Sequence, residues 1–373
     1  MSWPEPWLRL RDRCLASARF QNWAGRFVLT AGIARRNART LFDLCAGFVY
    51  SQILLASVEL GLLEALRAGP LTPAALTERL GLLPARSQRL IDAAIALNLL
   101  QRRGCGQVGL GSAGAMLLGN PAVLAMVRHH RLLYQDLADP VALLRTAQAD
   151  SSLRKYWAYS QHDTPGQLAA AQTDGYSALM AASQPLIAAQ VLDAYPLQRH
   201  RSLLDVGGGL GEFALAAARR TPQLNCRVFD LPAVAARAQT RFAMAGLADR
   251  LQAVGGDFFH DPLPQGADVI CLVRVLHDHD DSAARELLRA VRTALAPGGT
   301  LLIAEPMTDG TLQRVADAYF GFYLLAMGQG HARSRAQLTQ LLAEAGFGAP
   351  RRWRTRIPLQ CQVLTACQSV LHA

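Results

Sequence analysis

The spacing of apolar residues divides the chain into a helical half and an alternating half. From about Leu8 to Tyr195, apolar residues recur at intervals of three and four, which is the period of amphipathic helices. After His200, short apolar runs alternate with longer helical segments. This alternation predicts a parallel sheet with helices on both faces, and it places a boundary between Tyr195 and Arg201.

The helical half contains a local succession of helix, turn, helix and hairpin. Thr72 and Pro73 suit the N-cap and first position of one helix, which Gly81 closes. A second helix is predicted from Pro84 to Leu100, and residues 99–110 hold two short runs about a Gly-Cys-Gly turn, which is typical of a small hairpin. This succession predicts a winged helix.

The most apolar stretch runs from Leu41 to Leu66. Acidic and polar residues interrupt it, which is typical of a buried helix pair, and no uninterrupted apolar run approaches the length of a membrane span. The first residues lack the apolar core of a signal peptide. We therefore expect a chain that is neither secreted nor membrane-spanning.

The chain carries a formal net charge of +10, and the excess is uneven. Of its 38 basic residues only Lys155 is a lysine, which indicates a codon bias, so the charge does not predict nucleic-acid binding. Residues 1–40 hold eight arginines against Glu5 and Asp12. The same segment contains aromatic residues, namely Trp3, Trp7, Phe20, Trp23 and Phe27. Two interpretations of this arm stay open, contact with an anionic membrane surface and wrapping around a partner subunit.

The cysteine pattern favours a reducing compartment. The 7 cysteines form no CxxC pair, and their odd number does not suit a complete disulfide framework. His277 and His279 alternate with aspartates but lack any further ligand pattern, so we expect no metal. The length of 373 residues allows two domains with cores of their own, and we predict an arm over 1–40, a helical domain over 41–198 and a sheet domain over 199–373.

A glycine-rich loop follows the first strand of the sheet domain. The strand SLLDV runs into Asp205-Val-Gly-Gly-Gly-Leu-Gly211, and a helix follows over 212–220. Glycines there let a ligand approach the backbone at the carboxyl end of the strand. No Gly-Lys-Ser/Thr follows, which speaks against a P-loop, and Glu212 replaces the third glycine of the dinucleotide fingerprint. The alternative is a glycine turn without a ligand.

Two carboxylates end the next strands. Asp230 in VFDLP can accept both hydroxyls of a ribose, and its alternative role is a helix N-cap. Asp257 in VGGDFF can take an adenine amino group while Phe258 packs on the ring, and its alternative is a plain turn residue.

The fourth strand ends in LVRVLHDHDD, which places His277 at the same edge. A neutral imidazole can accept a proton from a hydroxyl. Glu305, at the end of the fifth strand, can hold one ring nitrogen and stabilise the imidazolium. The alternatives are a hydrogen-bonded loop histidine and a salt bridge. We expect Asp278, Asp280 and Asp281 to cap the following helix.

These motifs resemble a known family. DVGGG, FDLP, GGDFF, LHDxDD, LAPGG and AEP occur in the order found in dimeric small-molecule O-methyltransferases, such as the plant caffeic acid and bacterial polyketide enzymes. The resemblance implies an α/β fold, with a Rossmann-like class I methyltransferase sheet and an N-terminal all-helical winged-helix dimerisation domain. It also implies a homodimer that uses S-adenosyl-L-methionine and releases S-adenosyl-L-homocysteine.

The resemblance carries roles onto individual residues. It implies that His277 is the general base and that Glu305 flanks it. It implies a cofactor site made of Asp205, Gly207, Gly209, Asp230, Leu231, Asp257, Phe258, Arg274, Met180 and Ser183. The chain departs from the plant pattern twice, since Ala332 stands where a second glutamate is usual and His279 where a tryptophan is usual.

A narrower resemblance covers nearly the whole chain. ARFQNWAGRF and RHHRLLYQDLADPVALLR in the N-terminal half resemble the hydroxyneurosporene (demethylspheroidene) O-methyltransferases of purple photosynthetic bacteria. This implies a small apolar hydroxylated substrate, methylated at the C1 tertiary hydroxyl of acyclic carotenoids in spheroidene and spirilloxanthin biosynthesis. The cysteine pattern makes the cytoplasm the expected reducing compartment, and peripheral contact with the inner photosynthetic membrane stays open.

Other functions stay open as alternatives. A phenolic or polyketide acceptor keeps the same chemistry. A winged-helix DNA-binding regulator would use the helix from Pro84 to Leu100, which offers Arg86, Gln88 and Arg89 but is otherwise mostly apolar after Ile91. A nicotinamide reductase on a similar sheet is the third alternative.

Overall fold

The fold is given by a computed structural model, which describes residues 4–146, 151–156, 183–309, 313–358 and 361–368. Trp3 and Met180 lie outside the described residues. The chain forms two compact units, Met1–Gly119 and Asn120–Ala373.

The first unit is helical with one small hairpin. Its elements are α1 (Glu5–Ala16), α2 (Ala18–Arg26), α3 (Val28–Glu59), α4 (Leu62–Ala65), α5 (Pro73–Leu80), α6 (Pro84–Ala96), β1 (Leu100–Arg102), β2 (Val108–Leu110) and α7 (Ser112–Leu118). The Thr72 hydroxyl caps α5 by accepting the N–H of Ala75, and Gly81 ends the helix at φ 62°. The predicted succession of helix, turn, helix and antiparallel hairpin is present, while winged helix stays an interpretation.

The prediction of a buried helix pair over 41–66 is correct only for the C-terminal part, where the end of α3 and the short α4 are buried at Val58, Leu62 and Leu63. α3 is one continuous helix, and its middle is uncovered in the described chain, with Leu41 63%, Leu44 75% and Phe48 73% exposed. By length and composition alone, α3 is the one described helix that could cross a membrane, although only 11% of its most apolar window is buried. Such an exposed apolar face is typical of an interaction surface.

The second unit contains a seven-stranded sheet of order β5-β4-β3-β6-β7-β9-β8. Its strands are β3 (Ser202–Val206), β4 (Asn225–Asp230), β5 (Leu251–Gly255), β6 (Ala267–Val273), β7 (Leu295–Glu305), β8 (Arg351–Trp353) and β9 (Gln362–Cys367). The five strands predicted from the alternation are β3 to β7, and they are parallel to one another. β9 pairs antiparallel with β7 and β8. The strand order reverses between β3 and β6, where open α/β sheets bind ligands.

Helices cover both faces of this sheet. On one face lie α11 (183–194), α12 (Glu212–Arg220) and α13 (Pro232–Met244), and on the other lie α14 (Asp281–Ala294) and α16 (Arg335–Glu344). The helices α8 (Pro121–Asp136), α9 (Pro140–Arg145), α10 (Ser152–Tyr156) and α15 (Gln313–Met327) pack against one another in a separate apolar cluster. Phe213 and Phe242 fill the core on one face, and Leu287 and Leu341 fill the core on the other. The predicted α/β Rossmann-like sheet with an N-terminal helical region is confirmed.

Candidate active site

The glycine loop after β3 is left-handed at three positions. Gly207, Gly209 and Gly211 have φ values of 67°, 59° and 75°, which only glycine adopts without strain. A Cβ at Gly209 would meet nothing within 4 Å, whereas one at Gly207 would lie 3.0 Å from Val275. The loop is therefore packed against the protein at Gly207 and open above Gly209, where a ligand can reach the backbone.

Asp230 at the end of β4 is joined to this loop. Its Oδ2 accepts the N–H of Gly209 at 2.7 Å, and its Oδ1 accepts the N–H of Leu231 at 2.8 Å. The N-cap of α13 is Leu231, so the alternative of Asp230 as a helix cap is wrong. Burial raises the pKa of Asp230 to about 6. Each carboxylate oxygen keeps a further lone pair, which leaves the residue able to accept ribose hydroxyls.

Asp205 lies beneath the loop with its carboxyl group unsatisfied. The residue is 1% exposed, and neither oxygen has a hydrogen-bond partner among the described residues. Burial and the charge of Asp230 raise its pKa to about 8. An unpaired buried acid is costly, and a positively charged ligand group nearby would favour its ionised form. The ammonium group of S-adenosylmethionine fits this requirement, and the open backbone above Gly209 fits its approach.

Asp257 forms local hydrogen bonds in the turn after β5. Its Oδ1 accepts the N–H of Phe259 at 3.0 Å, and its Oδ2 lies 3.0 Å from Nδ1 of His260. These contacts account for the residue as a turn former, and the adenine contact stays a prediction. Phe258 packs edge-on against Phe259, with ring centroids 4.7 Å apart.

His279 occupies the place where the family resemblance implies a tryptophan. Its ring packs edge-on against Phe258 and Phe259, with centroids 5.6 and 5.2 Å apart. Burial, together with the charge of His277, lowers the pKa of His279 to about 4. The residue is thus a neutral flat ring at neutral pH, so the position of the family tryptophan still holds an aromatic ring.

His277 is held tightly by Glu305. The histidine lies on a single 3-10 turn, Leu276–Asp278, just after β6. Its Nδ1 is 2.5 Å from Oε2 of Glu305, and Oε1 of the same carboxylate accepts the N–H groups of Val275 at 2.8 Å and Leu276 at 2.7 Å. One carboxylate therefore fixes both the ring and the backbone that carries it. Because Nδ1 faces Glu305, Nε2 is the nitrogen left for an acceptor hydroxyl.

Asp278 lies beside His277 and does not cap the following helix, contrary to the expectation from the sequence. Asp280, not Asp278, caps α14 by accepting the N–H of Ala283 at 2.9 Å. Asp278 is 6% exposed, and its Oδ1 lies 3.1 Å from Nε2 of His277 without a hydrogen bond among the described residues. Burial raises the pKa of Asp278 to about 6. A second carboxylate thus stands beside the imidazole, although Ala332 replaces the family glutamate.

Two opposing effects set the pKa of His277. Burial lowers it, whereas the charges of Asp278 and Glu305 raise it, and the net shift is upward. The carboxylates therefore make this imidazole a stronger base than a free histidine.

Arg274 comes together with Ser183, as the family resemblance implies. Its backbone is left-handed at φ 61°, an unusual conformation for a residue with a side chain. Its N–H donates to the carbonyl of Ala304 at 2.8 Å, and its Nη1 donates to Oγ of Ser183 at 2.7 Å. The guanidinium is therefore joined to α11 at the edge that carries His277.

An aromatic surface adjoins His277 on α15. The ring of Phe320 lies edge-on to His277, with centroids 6.3 Å apart. Two hydrogen bonds of 2.8 Å join α15 to α8, one between Nε2 of His129 and the hydroxyl of Tyr323 and one between Nε2 of His130 and the hydroxyl of Tyr319. Burial lowers the pKa of both histidines, so they are neutral rings. Sequence reasoning missed this surface because its partners are 194 and 189 positions apart.

Two family models match the chain. The O-methyltransferase domain matches residues 134–348, and the O-methyltransferase dimerisation domain matches residues 42–120. The second match supports a homodimer. The two matches support neither the DNA-binding nor the reductase alternative.

Known relatives agree with these models. A demethylspheroidene O-methyltransferase of Cereibacter sphaeroides is 45% identical over 340 residues, covering 91% of this chain and 89% of the relative. The solved mitomycin 7-O-methyltransferase has a TM-score of 0.75 at 25% identity, with 91% of this chain and 100% of the other covered. Human N-acetylserotonin methyltransferase, solved with S-adenosylmethionine, has a TM-score of 0.74 at 24% identity, with 90% and 98% covered. The chain belongs to the S-adenosylmethionine-dependent O-methyltransferases.

Proposed function

We propose that this enzyme methylates the C1 tertiary hydroxyl of acyclic carotenoids such as hydroxyneurosporene and demethylspheroidene, in spheroidene and spirilloxanthin biosynthesis. The observation that carries the proposal is the 45% identity to a demethylspheroidene O-methyltransferase across 91% of the chain, including the N-terminal half. Residues 1–40 would form an arm, 41–198 the dimerisation and substrate domain, and 199–373 the catalytic domain, although α3 (Val28–Glu59) runs across the first of these boundaries and the two compact units divide at Gly119.

The loops after β3 and β4 would hold the methyl donor. Asp230 would accept the ribose hydroxyls, Gly209 would let the ligand approach, and Asp205 would face its ammonium group. When bound, S-adenosylmethionine supplies a methyl group on an electrophilic sulfonium centre. Asp257, Phe258, Arg274 and Ser183 would complete this site.

His277 would act as the general base. A tertiary alcohol is far less acidic than a phenol, so its proton leaves most readily as the new carbon–oxygen bond forms. Nε2 of His277 would take that proton, and Glu305 at Nδ1 would stabilise the imidazolium. Asp278, 3.1 Å from Nε2, would orient the hydroxyl and add a second negative charge beside the imidazolium. The rest of the rate enhancement would come from holding the hydroxyl in line with the methyl group.

The surface beside His277 suits a hydrophobic acceptor. Phe320 borders His277, and the nearby polar atoms of Tyr319 and Tyr323 are already engaged with His130 and His129. A long hydrocarbon can therefore pack there without leaving these polar groups unpaired.

A panel of acceptors tests this proposal. Purified enzyme with labelled S-adenosylmethionine should methylate 1-hydroxyneurosporene and demethylspheroidene in detergent, with the products identified by mass. Simple catechols and polyketide phenols serve as competitors in the same assay. Turnover of phenols without turnover of carotenoids would replace the carotenoid proposal by the phenolic alternative.

The arm over 1–40 would bring the enzyme to its insoluble substrate at the inner membrane. The arginines of α1 and α2 stand beside exposed aromatic rings, with Trp7 60%, Trp23 52% and Phe27 43% exposed. Such a surface suits an anionic bilayer. Flotation with phosphatidylglycerol vesicles should show binding that salt weakens. No binding, together with dissociation of the dimer when the arm is deleted, would assign the arm to the partner subunit.

A further inference from the structure

A buried arginine holds the His277 turn by contacts separate from those of Glu305. Arg333 is 2% exposed, and its guanidinium donates to three acceptors around the turn. Nη1 donates to the carbonyl of Leu276 at 2.6 Å, Nη2 to the carbonyl of His279 at 2.7 Å, and Nε to Oδ1 of Asp281 at 2.7 Å. The two carbonyls lie just before and two residues after His277, so the guanidinium spans the backbone that carries the base.

The backbone around Arg333 is fixed as well. Gly330 has φ 79°, and a Cβ there would lie 2.3 Å from the carbonyl oxygen of His277. The carbonyl of Arg333 accepts the N–H of Thr308 at 3.2 Å, and Arg333 forms a parallel bridge with Met307, two residues after Glu305. The segment 330–333 therefore touches the backbone of the base and the backbone that follows its carboxylate partner.

We propose that Arg333 is a positioning residue for methyl transfer, which keeps Nε2 of His277 in place by fixing the carbonyls on either side of it. The proposal rests on the role of His277 as general base. A planar guanidinium can serve three acceptors in a fixed fork, whereas a lysine ammonium is a single point of charge on a flexible stem. A displacement of about 1 Å at a reacting group can cost roughly 100-fold in rate.

Arg333 fixes the position of His277, and its own charge does not shift the pKa of that residue. Its charge lowers the pKa of His279, whereas the charges that shift the pKa of His277 belong to Asp278, Glu305 and Arg274. Loosening the turn would lengthen the contact between Nδ1 and Glu305 and weaken the upward shift. The acid limb of the pH profile would then move to lower pH, which loss of stability alone does not produce.

The deciding experiment compares Arg333→Lys with Arg285→Lys. Arg285 is the control, because it lies on α14, the helix that also carries Asp281, and its Nε donates to Glu344 at the end of α16 at 2.7 Å, away from the turn. Arg333→Lys should lower kcat at least about tenfold, leave the Kd for S-adenosylhomocysteine within about twofold, and shift the acid limb downward. Arg285→Lys should match the wild type. Wild-type kcat and an unshifted limb in Arg333→Lys would overturn the proposal.

Two further variants keep the test decisive. If Arg333→Lys does not fold, Asp281→Ala removes the third anchor at a side chain that is 55% exposed. Asp281→Ala should lower kcat and shift the acid limb of the pH profile to lower pH. A wild-type kcat with an unshifted acid limb would overturn the proposal. His277→Ala in the same assay separates the two hypotheses. If it stays fully active, the base assignment fails and the positioning role fails with it; if only Arg333→Lys stays fully active, the positioning role alone fails.

Discussion

Replacing Glu305 by glutamine exchanges one carboxylate oxygen for an NH₂ group, and we expect it to move the proton of the His277 ring from Nδ1 to Nε2. The two N–H groups of Val275 and Leu276 both point at Oε1, so the amide oxygen of glutamine has to stay there. The amide nitrogen then faces Nδ1 of His277 in place of Oε2. An amide NH₂ can only donate, so Nδ1 becomes the acceptor and the ring proton moves to Nε2. The nitrogen that faces the acceptor hydroxyl can then no longer take its proton.

The size of the effect follows from this forced orientation. General-base catalysis contributes about 10²- to 10⁴-fold in rate, and Glu305→Gln should lose most of that factor in kcat. The fold should survive, because the amide oxygen still accepts both backbone N–H groups. The free energy of unfolding should fall by no more than about 1.5–3 kcal/mol, the range for a hydrogen bond to a charged group.

Three measurements on one protein preparation test this reasoning. Single-turnover methyl transfer gives the rate of the chemical step, calorimetry gives the Kd for S-adenosylhomocysteine, and urea unfolding gives the stability. We expect a slow chemical step, an unchanged Kd for S-adenosylhomocysteine, and a free energy of unfolding that falls by no more than about 3 kcal/mol. A variant that keeps more than about half of the wild-type rate would refute the tautomer argument, because a protonated Nε2 cannot accept the proton of the hydroxyl.

Three other predictions concern the same edge of the sheet. Only neutral His277 is a base, and since Asp278 and Glu305 raise its pKa, kcat should fall as pH drops through a value above the ordinary 6.5; a pH profile with its midpoint below 6.5 would contradict this. Asp230→Ala should weaken S-adenosylhomocysteine binding about 10- to 100-fold by calorimetry, and an unchanged Kd would remove its ribose role. Asp205 has a folded pKa of about 8 against an ordinary 3.8, so the folded state retains a proton between these values and stability falls as pH rises. Asp205→Asn should therefore raise the urea midpoint of unfolding above that of the wild type at pH 8, and it should raise this midpoint much less at pH 5. An equal increase at both pH values would refute the raised pKa of Asp205.

The parallel half of the fold could be predicted from local patterns. Each of β3 to β7 is a short apolar run, and a helix follows every one of them except β5, which a turn segment joins to β6. Parallel strands put their carboxyl ends at one edge, which brings Asp205, Asp230 and His277 to the same edge of the sheet. The antiparallel β9 was not predicted, because its place between β7 and β8 depends on pairing between distant segments. The exposure of α3 was also missed, since an apolar helix that packs within its own chain and one that packs on a partner have the same composition.

The site was predicted where a motif lies in one stretch of sequence. His277 and Glu305 end neighbouring strands, so their contact follows from topology. Asp278 was assigned to a helix cap because three aspartates lie at or just before the start of α14, and only tertiary packing decides which of them is buried. Arg333 was missed as a functional residue because its partners are backbone carbonyls, which leave no trace in the identity of the residues that carry them.

The most direct test of the account is single-turnover methyl transfer by His277→Ala with the carotenoid acceptor and saturating methyl donor. The account predicts a loss of about 10²- to 10⁴-fold in the chemical step, with the Kd for S-adenosylhomocysteine unchanged because Asp230 and Gly209 lie on other loops. Methyl transfer at the wild-type rate would contradict it.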